Sequence, residues 1–378
     1  MVIIKKIFVS IILILNILVV QGQVEISLLQ QPLIDIIESP LISEVSFTPL
    51  QITKIGMISQ DMEMKYYDNN YFILDNKFTQ SVYRFDEEGI LLNTITAQDT
   101  SLQSSNKLVL TNPAKFNINH FNKLVELYNF EESAIQRFTY EGKKLDKIKL
   151  ALNPSDFTRT KEGNYLIYTG WNNKETQYRL LIADRSGKTT DKKLRLVTKC
   201  TPTEGYSFYT TDDGTYMWEL LGNTTYLISN NNNITEKFVF NYGNKNLLPN
   251  YHMLEAYDSY RLINHAGYYT IKKYLENKDF AYFFLNFTGE NQKEMYHIIY
   301  DKNKKITYSY NENAGIGAFD KAQALTDNNE LIFLVAPRKF RQLFNSGIEN
   351  ISPVFDELSG IVNKERNPII LKIKLQSI

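Results

Sequence analysis

Between Asp61 and Thr96 the apolar and polar positions fall in short alternating blocks. Tyr71-Phe72-Ile73-Leu74 and Ser81-Val82-Tyr83-Arg84-Phe85 are dense in aromatic and β-branched residues. They are bounded by Asp68-Asn69-Asn70 and Asp86-Glu87-Glu88-Gly89, whose short polar side chains and glycine favour turns. The stretch predicts a four-stranded antiparallel meander.

The pattern recurs along the chain. Arg84-Phe85 and the turn ending at Gly89 are echoed by Arg137-Phe138 and a turn ending at Gly142, 53 positions on (142 − 89), and more weakly by Arg179 to Gly187. The strand that precedes this turn repeats as Tyr71 to Leu74, Lys123 to Leu127, Asn164 to Tyr168, Thr215 to Leu220, Gly267 to Ile271 and Glu330 to Val335. Six such units cannot each bury their apolar faces alone. Closed on an axis, they form a ring without long free edges, which is a β-propeller.

Two connections look longer than the rest. Tyr274 to Glu294 reads as extra sequence in the fifth unit, including Phe280 to Leu285, and Arg338 to Asn367 separates the second and third strands of the sixth. In the latter, Ser352-Pro353 supplies an N-cap and a first-turn proline. Val354, Phe355, Leu358, Ile361 and Val362 share one helical face, so the spacing predicts a short helix from Pro353 to about Lys364. Both insertions would emerge on one face of the disc.

The remaining organisation follows from the ends. Lys5 and Lys6, the apolar run Ile7 to Val20, and Val20-Gln21-Gly22 predict a signal peptide over residues 1–22 cleaved after Gly22. Residues 23–44 read as an irregular lead-in, and 45–378 as the six-bladed propeller. Tyr and Phe number 25 and 22, which supports an all-β class. Lys+Arg and Asp+Glu both number 42, so no electrostatic case exists for nucleic acid or an anionic membrane. Cys200 is the sole cysteine. It excludes an internal disulfide, and its distance from the cut excludes lipid attachment to a mature N-terminal cysteine.

Tyr66 to Asp75, then Val82 to Asp86 and the turn ending at Gly89, resemble the six-bladed β-propeller family of exported Bacteroidetes proteins, itself similar to NHL-type repeats. Asn367 to Leu375 is similar to that family's closing strand and Val45 to Leu50 to its opening strand, which implies that the two together complete the last blade. The resemblance implies an all-β six-bladed ring of four-stranded antiparallel blades, to which the residues add the short helix in the last blade.

Chemistry is sparse. His120, His252, His265 and His297 are scattered without metal-ligand spacing, and no G-x-S-x-G, phosphate-binding glycine loop or Cys/His pair is present. No catalytic residue, metal or cofactor is therefore assigned. The second-to-third-strand connections carry Phe78, Trp171, Tyr274, Arg338, Phe340 and Arg341, aromatic platforms and bidentate donors that suit a sugar ring or a peptide. The expectation is an exported, periplasmic or secreted, monomeric binding or scaffold propeller with a protein or glycan ligand at the bacterial envelope. The alternative is a hydrolase or lyase with carboxylates or a metal in the central channel.

Overall fold

A computed structural model describes residues 24–27, 39–51, 62–75, 79, 81–96, 113–170, 176–196, 208–219, 222–243, 258, 261, 265, 267–289, 293–311, 320–336 and 367–377. These form a six-bladed β-propeller of four-stranded antiparallel blades. Two N-terminal strands, β1 (Val24–Ser27) and β2 (Ile42–Pro49), are taken up by blades formed later in the chain.

Blade one is β3 (Met62–Tyr67), β4 (Asn70–Asp75), β5 (Ser81–Phe85) and β6 (Leu91–Thr96). Blade two is β7 (Pro113–Asn119), β8 (Leu124–Asn129), β9 (Ala134–Thr139) and β10 (Lys144–Lys149). Blade three is β11 (Asp156–Arg159), β12 (Tyr165–Tyr168), β13 (Tyr178–Ala183) and β14 (Thr189–Arg195). Blade four is β15 (Phe208–Thr211), β16 (Gly214–Trp218), β17 (Thr224–Ile228) and β18 (Ile234–Asn241), and β1 joins its outer edge in parallel with β18. Blade five is β19 (Tyr268–Glu276), β20 (Phe280–Thr288), β21 (Lys293–Asp301) and β22 (Ile306–Asn311). Blade six is β23 (Ala324–Leu325), β24 (Glu330–Val335), β25 (Ile369–Leu375) and the N-terminal β2 as its outermost strand. The opening strand therefore closes the ring, as the resemblance implied, and it ends at Pro49, which has no N–H to give to a ladder.

Each blade packs on the next through its own apolar cluster. Met64, Tyr71 and Ile73 of blade one meet Ile332 and Ile370 of blade six, so the last interface is as dry as the others. The second strands are the most buried because both faces touch neighbours: β4 and β12 are buried at every position. That is why the second strand carries the clearest repeat in the sequence.

The repeated glycine turn has a specific cause. Gly89, Gly142 and Gly187 sit at φ +78°, +88° and +87°, between the third and fourth strands of blades one, two and three. There each turn abuts the outer strand of the preceding blade. A Cβ on Gly89 would lie 2.6 Å from the Pro49 carbonyl oxygen, and one on Gly187 would lie 2.3 Å from that of Lys149. Left-handed backbone and close approach together demand glycine. Gly187→Ala is expected to cost about 3 kcal/mol, read as a lowered urea midpoint with unchanged slope. The Asp68-Asn69 turn obeys the same logic: both residues have positive φ, 49° and 58°, in a two-residue hairpin loop.

Three expectations are corrected. Phe280 to Leu285 is not an insertion but most of β20, paired along its length with both β19 and β21. Gly267 to Ile271 accordingly enters the first strand of blade five rather than forming its second. The lead-in is not wholly irregular, since β1 is a strand and β2 already begins at Ile42. The helix expected over Pro353 to Lys364, the segment 1–22, Cys200 and His252 lie outside the described residues.

Candidate functional site at the channel

The innermost strands β3, β7, β11, β15, β19 and β23 surround the axis, and what they point inward is set by the strand alternation. In β3, Met64 packs on blade six, while Glu63 and Lys65 alternate to the other side. Lys65 lays its ammonium over the Phe116 ring of blade two, 5.3 Å from the centroid. Glu63, Lys65, Tyr66 and Tyr67 of blade one, Asp156 of blade three, Phe208 and Tyr209 of blade four, Lys273 of blade five, and Gln323 and Ala324 at blade six line one cavity. It measures about 410 Å³ out to solvent and is narrow, admitting water-sized groups between the side chains.

Two tyrosines span the channel. The Tyr67 hydroxyl donates to the Thr210 carbonyl of blade four at 3.4 Å, and the Tyr209 hydroxyl to the Leu325 carbonyl of blade six at 3.2 Å. Beside them the Thr158 hydroxyl links Asn117 Oδ1 at 3.2 Å with Thr210 Oγ1 at 3.0 Å, tying blades two, three and four at the axis. Glu63, Asp156 and Phe208 stand at the beginnings of their strands. The charged groups line the channel from there to the middle of the innermost strands, with Lys65 and Lys273 well inside β3 and β19.

The electrostatics are unusual for groups so deep. Glu63 is 7% exposed. Its Oε1 lies 3.9 Å from Lys65 Nζ, while Oε2 is buried and has no hydrogen-bond partner among the described residues. Burial pushes its carboxyl above the usual range, Asp156 adds to that, and Lys65, Lys115 and Lys273 oppose it. Lys273 is also 7% exposed, and among the described residues no hydrogen bond or ion pair holds its ammonium. Burial pulls it down to about 8, against the pull of Glu63. Among the described residues no three of His, Cys, Asp and Glu gather into a metal site.

The Lys273 shift has a testable sign. A lysine that holds its proton less tightly when folded weakens the folded state below its folded value. The deficit is relieved as pH rises from about 8 toward 10.5. Relative to Lys273→Met, the wild-type protein is expected to gain stability over that window, on the order of 3 kcal/mol in full. Urea unfolding of both proteins between pH 7 and 10 measures the part that falls below the titration of unfolded tyrosines.

Of the residues singled out in the sequence, Phe78, Trp171, Arg338, Phe340 and Arg341 lie outside the described residues. Tyr274 does not lie on a connection. It sits inside β19, 0% exposed, edge-on to Tyr216, Trp218 and Phe238 and stacked on Phe283, with its hydroxyl donating to Glu276. Its place is the core between blades four and five. His120 is half-buried: its ring stacks on that of Tyr67 at 4.7 Å, and burial lowers its basicity.

Residues 25–374 match the model of a family described as a domain of unknown function, DUF4934. No curated protein matches the chain. Among solved structures, the chain is similar to a Bacteroides fragilis protein described as exported, with a TM-score of 0.72 at 15% identity, over 94% of this chain and 100% of that one. It is also similar to a DUF4221 family member from Bacteroides vulgatus, with a TM-score of 0.50 at 10% identity, over 89% and 97%. At these identities the likeness establishes the fold alone. Among the described residues, no helix is long and apolar enough to cross a membrane.

Proposed function

We propose that this chain, which belongs to the DUF4934 family, is an exported, non-catalytic binding propeller of the bacterial envelope that takes a protein or glycan ligand at its central channel. The observation that carries this reading is the channel cavity itself. Five blades contribute to its wall, which carries a carboxylate with an unpartnered oxygen and a buried lysine. Such polar groups on a rigid scaffold, next to aromatic walls, fit recognition.

Export rests on the Lys5-Lys6 and Ile7 to Val20 pattern with cleavage after Gly22, which makes Gln23 the mature N-terminus and leaves no cysteine there for a lipid. The protein acts as a monomer. Phe78, Trp171, Arg338, Phe340 and Arg341, the aromatic and guanidinium groups singled out in the sequence, are proposed to supply the outer part of the ligand contact.

Glu63 and Asp156 line one cavity, which is the observation that favours a second reading, a hydrolase or lyase working with two carboxylates. Both readings meet in one experiment. The exported protein is incubated with a glycan array and with envelope extract, and captured material is analysed by mass spectrometry. Retention of an intact partner supports binding. Shortened or unsaturated glycan products support catalysis, and no capture from either source contradicts both.

A further inference from the structure

We infer that Glu63 and Lys273 form a socket for a neutral hydroxyl group, so that the ligand's inserted tip is a sugar or other polyol hydroxyl; this deepens the binding reading and rests on it. Charge and hydrogen bonding single out that group. Glu63 Oε2 is a buried acceptor without a partner among the described residues, and Lys273, a buried residue, makes no hydrogen bond or ion pair among them. Both line the same narrow cavity. A buried acceptor left unmatched is costly, so a group that donates to it while accepting from the lysine gains what the fold forgoes.

Charge decides which group that is. A ligand ammonium would suit Glu63 and Asp156 but would meet Lys273 and Lys65. A ligand carboxylate or phosphate would suit the lysines but would meet the two acids. A hydroxyl both donates and accepts without net charge, so it can give its proton to Glu63 Oε2 and accept from Lys273 Nζ. Size agrees: the cavity takes a water-sized group rather than a ring. Tyr66, Tyr67, Phe208 and Tyr209 present aromatic surface beside it, which matches the apolar C–H faces of a sugar whose hydroxyl is inserted.

The test uses the mature full-length chain with glucose, galactose, mannose and the neutral oligosaccharides of a glycan array as probes, and acetate, glycine and methylammonium as charged controls. Binding is measured by calorimetry or ligand-observed NMR on wild type, Glu63→Met and Lys273→Met, with Glu63→Gln as the shape-preserving variant should Glu63→Met not fold. The expected result is binding of a neutral sugar that falls at least tenfold in each apolar variant, with an intermediate loss in Glu63→Gln. The charged controls are expected to bind more weakly. Undiminished sugar binding in folded variants overturns the socket while leaving the binding reading intact, as does capture of proteins only. Tighter binding of a charged control overturns the neutral-hydroxyl assignment, and failure of every probe and of envelope capture overturns both.

Discussion

Replacing Arg159 by methionine is expected to destabilise the protein by about 3–5 kcal/mol at neutral pH, because it strands a carboxylate in the seam between blades two and three. Glu126 is 0% exposed. Its oxygens accept from Arg159 Nη1 at 3.2 Å, the Tyr165 hydroxyl at 3.0 Å and Asn117 Nδ2 at 3.1 Å, and the Arg159 guanidinium also lies over the Tyr165 ring, 5.1 Å from its centroid. Without the guanidinium only neutral donors remain, and burial already holds the Glu126 carboxyl above its usual range. A carboxyl that keeps its proton more readily when folded gains stability as pH falls. The deficit of Arg159→Met is therefore expected to shrink toward pH 5. The double variant Glu126→Gln/Arg159→Met removes the charge along with its partner and is expected to recover most of the loss. Urea unfolding of the three proteins at pH 5 and 7 reads all of this. Equal deficits in the single and double variants would show that packing, not the stranded charge, sets the cost.

Truncation to begin at Met62 is expected to have the largest effect of all, abolishing the cooperative unfolding transition. It removes β2, which pairs with β25 from Ile42 to Pro49. It also takes away Leu41, Ile42, Val45 and Phe47, which pack into the cluster between blades five and six, and Leu50, which packs between blades six and one. Blade six is left with β25 as an open apolar edge, a template for pairing between chains. Gel filtration and thermal circular dichroism are expected to show aggregate and a broad, non-cooperative melt. A monomer with a sharp melt would show that the ring closes without its N-terminal strand.

The residues explain why the ring could be read from the sequence and the channel could not. Second strands and third-to-fourth turns repeat because their constraints repeat: burial on both faces for Tyr71 to Leu74 and Tyr165 to Tyr168, and a left-handed turn against the preceding blade for Gly89 and Gly187. Blade five hid its register because its strands β19 to β21 run nine residues each, and the apolar stretch Phe280 to Leu285 followed a strand already counted. That slip moved Tyr274 from the core to a loop. First strands carry no such signature, since their inward positions answer to the channel rather than to a neighbouring blade. Met62-Glu63-Met64-Lys65 does alternate apolar with charged residues just before a wholly buried strand, and this was the available signal. What no local pattern could supply is the ring closure that brings Glu63 and Lys273 to one cavity.

On the proposed reading, the channel is where this scaffold meets its ligand. The most direct measurement is a crystal structure of the mature chain grown with a neutral oligosaccharide retained on the glycan array. The expected result is the intact sugar with one hydroxyl between Glu63 and Lys273. A sugar seated elsewhere on the ring, or a cleaved product in the channel, would contradict it.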